Sequence, residues 1–192
     1  VAVGMATNIC SFNLKEVCDA TCAFIDDNTV DLLDYIIAPD FSTGGTVIYS
    51  HKEMSDIIEK GRGSVKIRGK YRYDKKNSCI EIYEIPYTTS SEAIVDAIID
   101  LVKKGKIKDI TDVRDETDLD GLKIAIDIKK SVDPDLLMSK LYKMTPMQES
   151  FSCNFNVLIN ARPVVLGVRG LIAEWLNFRR VCVRRMLLND IR

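Results

Sequence analysis

Between Arg62 and Tyr73 the sequence alternates with a period of two: Arg62, Lys66, Arg68, Lys70 and Arg72 fall on even positions, and Val65, Ile67, Tyr71 and Tyr73 on odd ones. Successive side chains of an extended strand point to opposite faces, so this spacing suits a strand and not a helix. One face would be a row of cations, and the other would pack inward. Side chains two residues apart stand roughly 6.6 Å apart along a strand, a fit to an extended phosphate backbone. A strand face that merely meets water usually mixes both signs. Five cations with no interposed acid on that face repel one another unless a polyanion offsets them, so the row points to DNA or RNA. The competing reading is a strand face turned to solvent.

The overall charge hides this row. The 192 residues hold 27 Lys+Arg, 28 Asp+Glu, one His and six Cys, for a formal net charge of −1. Resolved by position, residues 60–76 hold eight bases and one acid, a balance of +7, and residues 169–192 hold six Arg and two acids, a balance of +4. The rest of the chain then carries −12. Asymmetry of this kind speaks to partners rather than to fold. The length allows one domain or two small ones with a real core. At 46% hydrophobic and 29% charged, the composition excludes disorder, collagen and a disulfide scaffold. No apolar run approaches the roughly 18–20 residues of a membrane span, and no secretory signal is present. The expectation is a cytoplasmic protein with no membrane partner, its cysteines reduced.

Local signals divide the chain. Asn13-Leu14-Lys15-Glu16 reads as a capping box opening a helix to about Asp26, with Leu14, Val17, Cys18, Cys22 and Ile25 at helical spacing. A short helix over Val30–Ile36 is stopped by Pro39, and Thr46–Tyr49 reads as a strand. Lys52–Lys60 reads as a helix closed by Gly61. Gly63–Tyr73 and Cys79–Pro86 read as two strands of a hairpin around the turn Asp74–Asn77. Thr89-Ser90-Ser91-Glu92 opens a helix to Lys104, strands follow at about 108–113 and 122–129, and Asp133-Pro134 opens a helix to about Lys143. A second hairpin over 151–168 turns at Asn160-Ala161-Arg162-Pro163, and Leu171–Arg192 has helical spacing. The fold class is α+β: an antiparallel-rich sheet with helices on one face, ending in a long helix. The chain opens without Met, inside the apolar run Val1-Ala2-Val3-Gly4-Met5, and no cap closes its last helix. It reads as a piece of a longer protein.

Other chemistry is thin. Glu116, Asp118, Asp120, Gly121 and Asp127 approximate a calcium loop, but the first position should be Asp and the twelfth Glu, and residues 122–128 alternate as a strand where a helix should leave. A solvated turn is the expectation. Cys18 and Cys22 share a helix face and are expected to pack in the core, and no His/Cys cluster has zinc spacing. His51 with Cys79 or Cys153 has no local support as a nucleophile pair. There is no Walker A loop or dinucleotide fingerprint, and Gly61-Arg62-Gly63 is too short to cradle a phosphate. Arg179, Arg180, Arg184 and Arg185 beside an apolar stripe suit an anionic membrane surface or, more commonly in the cytosol, one strand of a coiled coil.

The sequence resembles the A subunits of bacterial type IIA DNA topoisomerases, the DNA gyrase and topoisomerase IV type. The resemblance rests on Val1–Ile9 followed by Asn13-Leu14; Pro39-Asp40-Phe41 with Thr43-Gly44-Gly45; Gly61-Arg62-Gly63; and Glu84-Ile85-Pro86-Tyr87. It continues with Arg114-Asp115-Glu116, Asp118 and Asp120-Gly121; Leu141-Tyr142-Lys143; and Phe178-Arg179-Arg180 with Arg184-Arg185. Cys10-Ser11-Phe12 and Thr88–Ser91 depart from the family's usual residues.

The resemblance implies ATP-dependent passage of one DNA duplex through another, altering supercoiling. Residues 1–38 would be linker helices after a winged-helix domain, 39–150 the tower (shoulder) domain, 151–169 a returning hairpin, and 170–192 the start of a coiled coil. The row Arg62, Lys66, Arg68, Lys70 and Arg72, read from the alternation as DNA contacts, fits this family, and the resemblance implies a wedge at Val1, where the family carries Ile. No residue here would be catalytic, because the family's catalytic Tyr precedes Val1. The fragment would hold no cofactor or metal; Mg²⁺ and ATP would act through the B subunit. The implied partners are double-stranded DNA, the B subunit, and a second copy of the same protein, in the bacterial cytoplasm at the nucleoid. The rival expectation is a structural scaffold and dimerisation fragment without DNA contact.

Overall fold

The structure, a computed structural model, describes residues 4–119 and 121–191. Val1, Asp120 and Arg192 lie outside the described residues, and with Val1 lies the expected wedge. The elements in chain order are α1 (Leu14–Asp26), β1 (Thr46–Ile48), α2 (His51–Lys60), β2 (Arg62–Arg68), β3 (Lys70–Asp74), β4 (Cys79–Glu84) and α3 (Ser91–Lys103). They continue with β5 (Ile110–Asp115), β6 (Ile124–Ile128), α4 (Pro134–Met144), β7 (Gln148–Asn154), β8 (Asn156–Ile159), β9 (Arg162–Val165) and α5 (Val168–Asp190). Among the described residues no helix is long and apolar enough to cross a membrane.

Side-chain caps set most helix starts. Asn13 accepts from the N–H groups of Lys15 and Glu16, and Asp133 accepts from those of Asp135 and Leu136 with Pro134 in the first turn. Ser90, one residue later than expected, caps α3 by accepting from the N–H of Ala93. Gly61 ends α2 in the left-handed region at φ 69°, and its N–H donates to the Ile57 carbonyl. The expected helix over 30–36 contracts to a single 3₁₀ turn, Leu32–Asp34, where the Asp31 side chain accepts from Leu33 N–H.

The chain forms two compact units. One comprises the residues up to Pro39, Tyr49–Val65 and Ser152 onward; the other comprises Asp40–Ile48 and Lys66–Phe151. The second contains an antiparallel sheet in the order β3-β4-β6-β5. Ile80, Ile82, Ile124 and Ile126, two apart along β4 and β6, are fully buried on one face. Against them pack Ile94 and Ile98 of α3 and Leu137, Met138 and Leu141 of α4, at helical spacing. Each such side chain contributes about 1.5–3 kcal/mol of transfer free energy. Helices therefore cover one face, and the α+β expectation holds for this sheet.

In the first unit, Met54, Ile57 and Ile58 of α2, Leu32, Phe155, and Val168 and Ile172 of α5 are among the buried residues. The hairpin β8–β9 turns at Asn160 and Ala161, both at positive φ, 49° and 62°. Helix α1 corrects one expectation. Only Ala20 of this helix is buried, while Cys18 and Cys22 are exposed rather than in the core. Helical spacing identifies an apolar face but not whether anything covers it.

The second correction concerns the basic strand. Instead of one strand over 63–73, the chain makes β2 in the sheet β1-β2-β7 and β3 in the four-stranded sheet. The break is Gly69, whose N–H donates to the Met147 carbonyl at 2.8 Å. A Cβ there would stand 2.7 Å from Met147 Cε and 2.8 Å from the Glu84 carbonyl oxygen. Only the second half forms the hairpin with β4, from Lys70↔Glu84 to Asp74↔Cys79, with a register shift between Lys70 and Tyr71. Gly69→Val should therefore lower stability by about 1–3 kcal/mol through overpacking. Urea denaturation measures this, and an unchanged midpoint would show that the close approach is not required.

Candidate nucleic-acid interface

The alternation that marks β2 in the sequence survives in the structure: Val65 and Ile67 are buried and Lys66 is exposed. Across the ladder Lys66 opposes Ile48 and Arg68 opposes Thr46, so β1 brings no acid to this face. Lys66 makes no ion pair among the described residues. Arg68 donates from Nε and Nη2 to Gln148 Oε1 at 2.8 and 2.6 Å, and its guanidinium lies 4.6 Å from the centre of the Tyr142 ring. Tyr142 is itself held by donating its hydroxyl to the Gly69 carbonyl at 2.8 Å. Both partners of Arg68 are neutral, so the fork is oriented while its charge stays uncompensated. Arg62, at the start of β2 and in the other unit, is exposed and free of ion pairs among the described residues.

The cations of β3 have a different environment. Lys70 pairs with Glu84 at 2.8 Å and Arg72 with Glu81 at 2.5 Å. Glu81 also takes Lys123 at 3.1 Å, Lys123 takes Glu116 at 3.0 Å, and Arg114 joins Glu116, Asp112 and Asp127. Register explains the chain of pairs. Arg72 opposes Glu81, Glu81 opposes Ala125 and Ala125 opposes Arg114, which sets them on one row across the sheet. Arg72 and Lys123 hold the Glu81 carboxyl below the usual range, as Arg114 does for Asp127. The five cations are thus not one row. Lys66 and Arg68 stand together without carboxylates, Lys70 and Arg72 belong to a mixed-sign sheet face, and Arg62 belongs to the other unit.

Of the calcium-like residues, Glu116 and Asp127 serve Arg114 and Lys123, and Asp120 lies outside the described residues. Strand β6 begins at Ile124, where a calcium loop would need a helix. Among the described residues no three His, Cys, Asp or Glu are grouped to hold a metal. Burial pushes the Cys79 thiol up to about 11, which leaves it a poor nucleophile. Arg169, counted in the second basic cluster, is a structural tie: it donates to Glu59 and to the carbonyls of Asn28 and Val30. Arg179, Arg180, Arg184 and Arg185 remain exposed on α5.

Sequence reasoning missed the setting of Arg68. A groove of about 500 Å³ is lined by Arg68, Tyr71, Asp135, Tyr142, Lys143 and Gln148. Tyr71 donates to Asp135 at 2.6 Å, so one carboxylate there is occupied by a hydroxyl. Leu141-Tyr142-Lys143 was visible as a motif; nothing in the sequence marks Gln148. Two further motifs meet as a packing clasp. Gly45 N–H donates to Glu84 at 2.5 Å, and Phe41 stacks on Tyr87 with ring centres 5.8 Å apart.

A sequence model of the family of DNA gyrase and topoisomerase IV A subunits matches residues 1–191. The A subunit of DNA gyrase from Lawsonia intracellularis is 41% identical over 96% of this chain and 23% of its own length. The chloroplastic/mitochondrial gyrase A subunit of Nicotiana benthamiana is 39% identical over 96% of the chain and 20% of its own. The gyrase A subunit of Borrelia hermsii is 36% identical over 100% and 24%. The chain spans about a fifth to a quarter of the length of these relatives.

The sheet-face network has a pH signature. Glu81, Glu116 and Asp127 have folded pKa values lowered by their basic partners. Their stabilisation is complete above the unfolded values of about 4 and is lost as pH falls through the lower folded values. Arg114→Gln should therefore lower Tm at pH 7, with the difference from the parent narrowing below about pH 4. A difference that stays constant across this range would contradict the assignment.

Proposed function

The chain belongs to the family of DNA gyrase and topoisomerase IV A subunits, and from that premise we propose that it binds duplex DNA through the cations of β2. The observation that carries this is the pair Lys66 and Arg68, which stand on one strand face with no carboxylate partner among the described residues. Phosphate contacts from such a face are tolerant of sequence; they position a duplex rather than read it. That suits the arms flanking a cleaved DNA gate, where bending costs several kcal/mol that extra backbone contacts offset. Arg62 is included as a separate contact. Lys70 and Arg72 are retained only as weaker contributors, because each already has a carboxylate.

In this reading residues 39–150 serve as the tower, and α5 begins the coiled coil through which two copies of the protein associate. Its exposed Val183, Met186 and Leu187 supply apolar surface for that purpose. The whole protein would act in ATP-dependent strand passage, with Mg²⁺ and ATP entering through the B subunit. The catalytic Tyr lies outside these 192 residues, so the chain alone supplies part of the DNA platform and no cleavage.

A salt titration of duplex binding tests this. Log K should fall linearly with log salt, and Lys66→Gln with Arg68→Gln should flatten the slope by about 2, at roughly 0.9 per phosphate contact. Adding Arg62→Gln should flatten it by about 1 more. Lys70→Gln with Arg72→Gln should change it by less than half as much as the first pair. Absence of binding at low salt, or a slope indifferent to Lys66 and Arg68, would favour a scaffold without DNA contact. In a separate assay the purified chain should leave supercoiled plasmid unrelaxed; relaxation would refute the placement of the catalytic Tyr.

A further inference from the structure

Cys10 and Cys153 bring their sulfurs to 3.6 Å in the first unit, with side chains only 3% and 5% exposed. Their approach is set by backbone. Asn8 N–H donates to the Asn154 carbonyl at 2.9 Å, and Asn154 N–H to that of Asn8 at 2.8 Å. Asn8 Nδ2 donates to the Ser152 carbonyl at 2.6 Å and Asn154 Nδ2 to the Ala6 carbonyl at 3.1 Å. The stretch 6–10 is therefore held against β7 before any covalent bond exists. A disulfide needs sulfurs about 2.05 Å apart, so about 1.5 Å remains to be closed. The other cysteines are placed otherwise: Cys18 and Cys22 are exposed on α1, Cys79 is buried in β4 and Cys182 lies on α5.

We propose that Cys10 and Cys153 form a reversible disulfide, a redox site that locks residues 6–10 onto β7 when the chain meets a peroxide. Contact with Cys153, followed by burial, raises the Cys10 pKa, so Cys10 stays protonated beside the Cys153 sulfur. The same contact holds the Cys153 thiol below its ordinary value, which makes Cys153 the attacking sulfur. Its thiolate attacks one peroxide oxygen; the O–O bond breaks, and the leaving hydroxide takes a proton to become water. The Cys153 sulfenic acid then meets the Cys10 sulfur. The S–S bond forms as the S–O bond breaks, and the hydroxyl leaves as water with the Cys10 proton. Two thiols and one hydrogen peroxide give one disulfide and two waters. Thiol exchange reverses the bond.

The test uses the whole chain with Cys18→Ser, Cys22→Ser and Cys182→Ser, which removes thiols that would react earlier. Hydrogen peroxide should yield the mass loss of two hydrogens and a peptide linking Cys10 to Cys153, both abolished by dithiothreitol. The oxidised form should gain about 5–10 °C in Tm, since the bond closes a long loop. Amide exchange at Asn8 and Asn154 should slow by about tenfold. Recovery of both cysteines as free thiols, their over-oxidation without linkage, or linkage to Cys79 instead would overturn the proposal. No readout depends on DNA binding, so its failure and that of the DNA reading are distinguishable.

Discussion

The close approach at Gly69 governs the electrostatics of this chain. The backbone passes between the Glu84 carbonyl and the Met147 side chain with no space for a Cβ, and there one continuous basic segment changes sheets. Residues after Gly69 enter an antiparallel sheet whose next strand presents Glu81 and Glu84. Residues before it lie beside β1, whose Thr46-Val47-Ile48 carries no charge. Cations that look equivalent in sequence are thus sorted by one backbone constraint into paired and unpaired sets.

The unpaired set matters because leaving cations together is unfavourable in the free chain. Lys66 and Arg68 repel across a strand face, and β1 supplies no acid to relieve them. Stability alone would favour an acid on β1, as in the neighbouring sheet. Arg68 adds a second feature. The Tyr142 ring and Gln148 fix the guanidinium without neutralising it, so less side-chain entropy is lost when an anion arrives. A fixed, uncompensated fork is what phosphate recognition uses.

Much of this was legible in the sequence. Period-two alternation located β2, β3 and β4, the caps at Asn13 and Asp133 and the stop at Gly61 located helices, and Asn160-Ala161 located a hairpin. These are local signals, each carried by residues within one turn of one another. The strand break was not legible, because Gly69 sits inside a pattern that alternates through it and its reason lies at Glu84 and Met147. The neutralisation of Lys70 and Arg72 depends on register with β4, which alternation alone does not specify. The exposure of Cys18 and Cys22 was missed because periodicity defines a face and not its neighbour. The seat for Arg68 comes from Gln148, 80 residues away, and carries no local mark. The family resemblance rested on motifs whose clearest structural expression is packing, as where Gly45 meets Glu84 and Phe41 meets Tyr87.

Lysine footprinting tests the sorting most directly, because Lys66 and Lys70 differ by four residues and by one carboxylate partner. The chain would be treated with a small acylating reagent, with and without a saturating DNA duplex at low salt, and modification at each lysine read by mass spectrometry. Bound DNA should slow acylation of Lys66 several-fold and leave Lys70 nearly unchanged. Protection of Lys70 with Lys66 unaffected, or equal protection of both, would contradict the sorting of these cations.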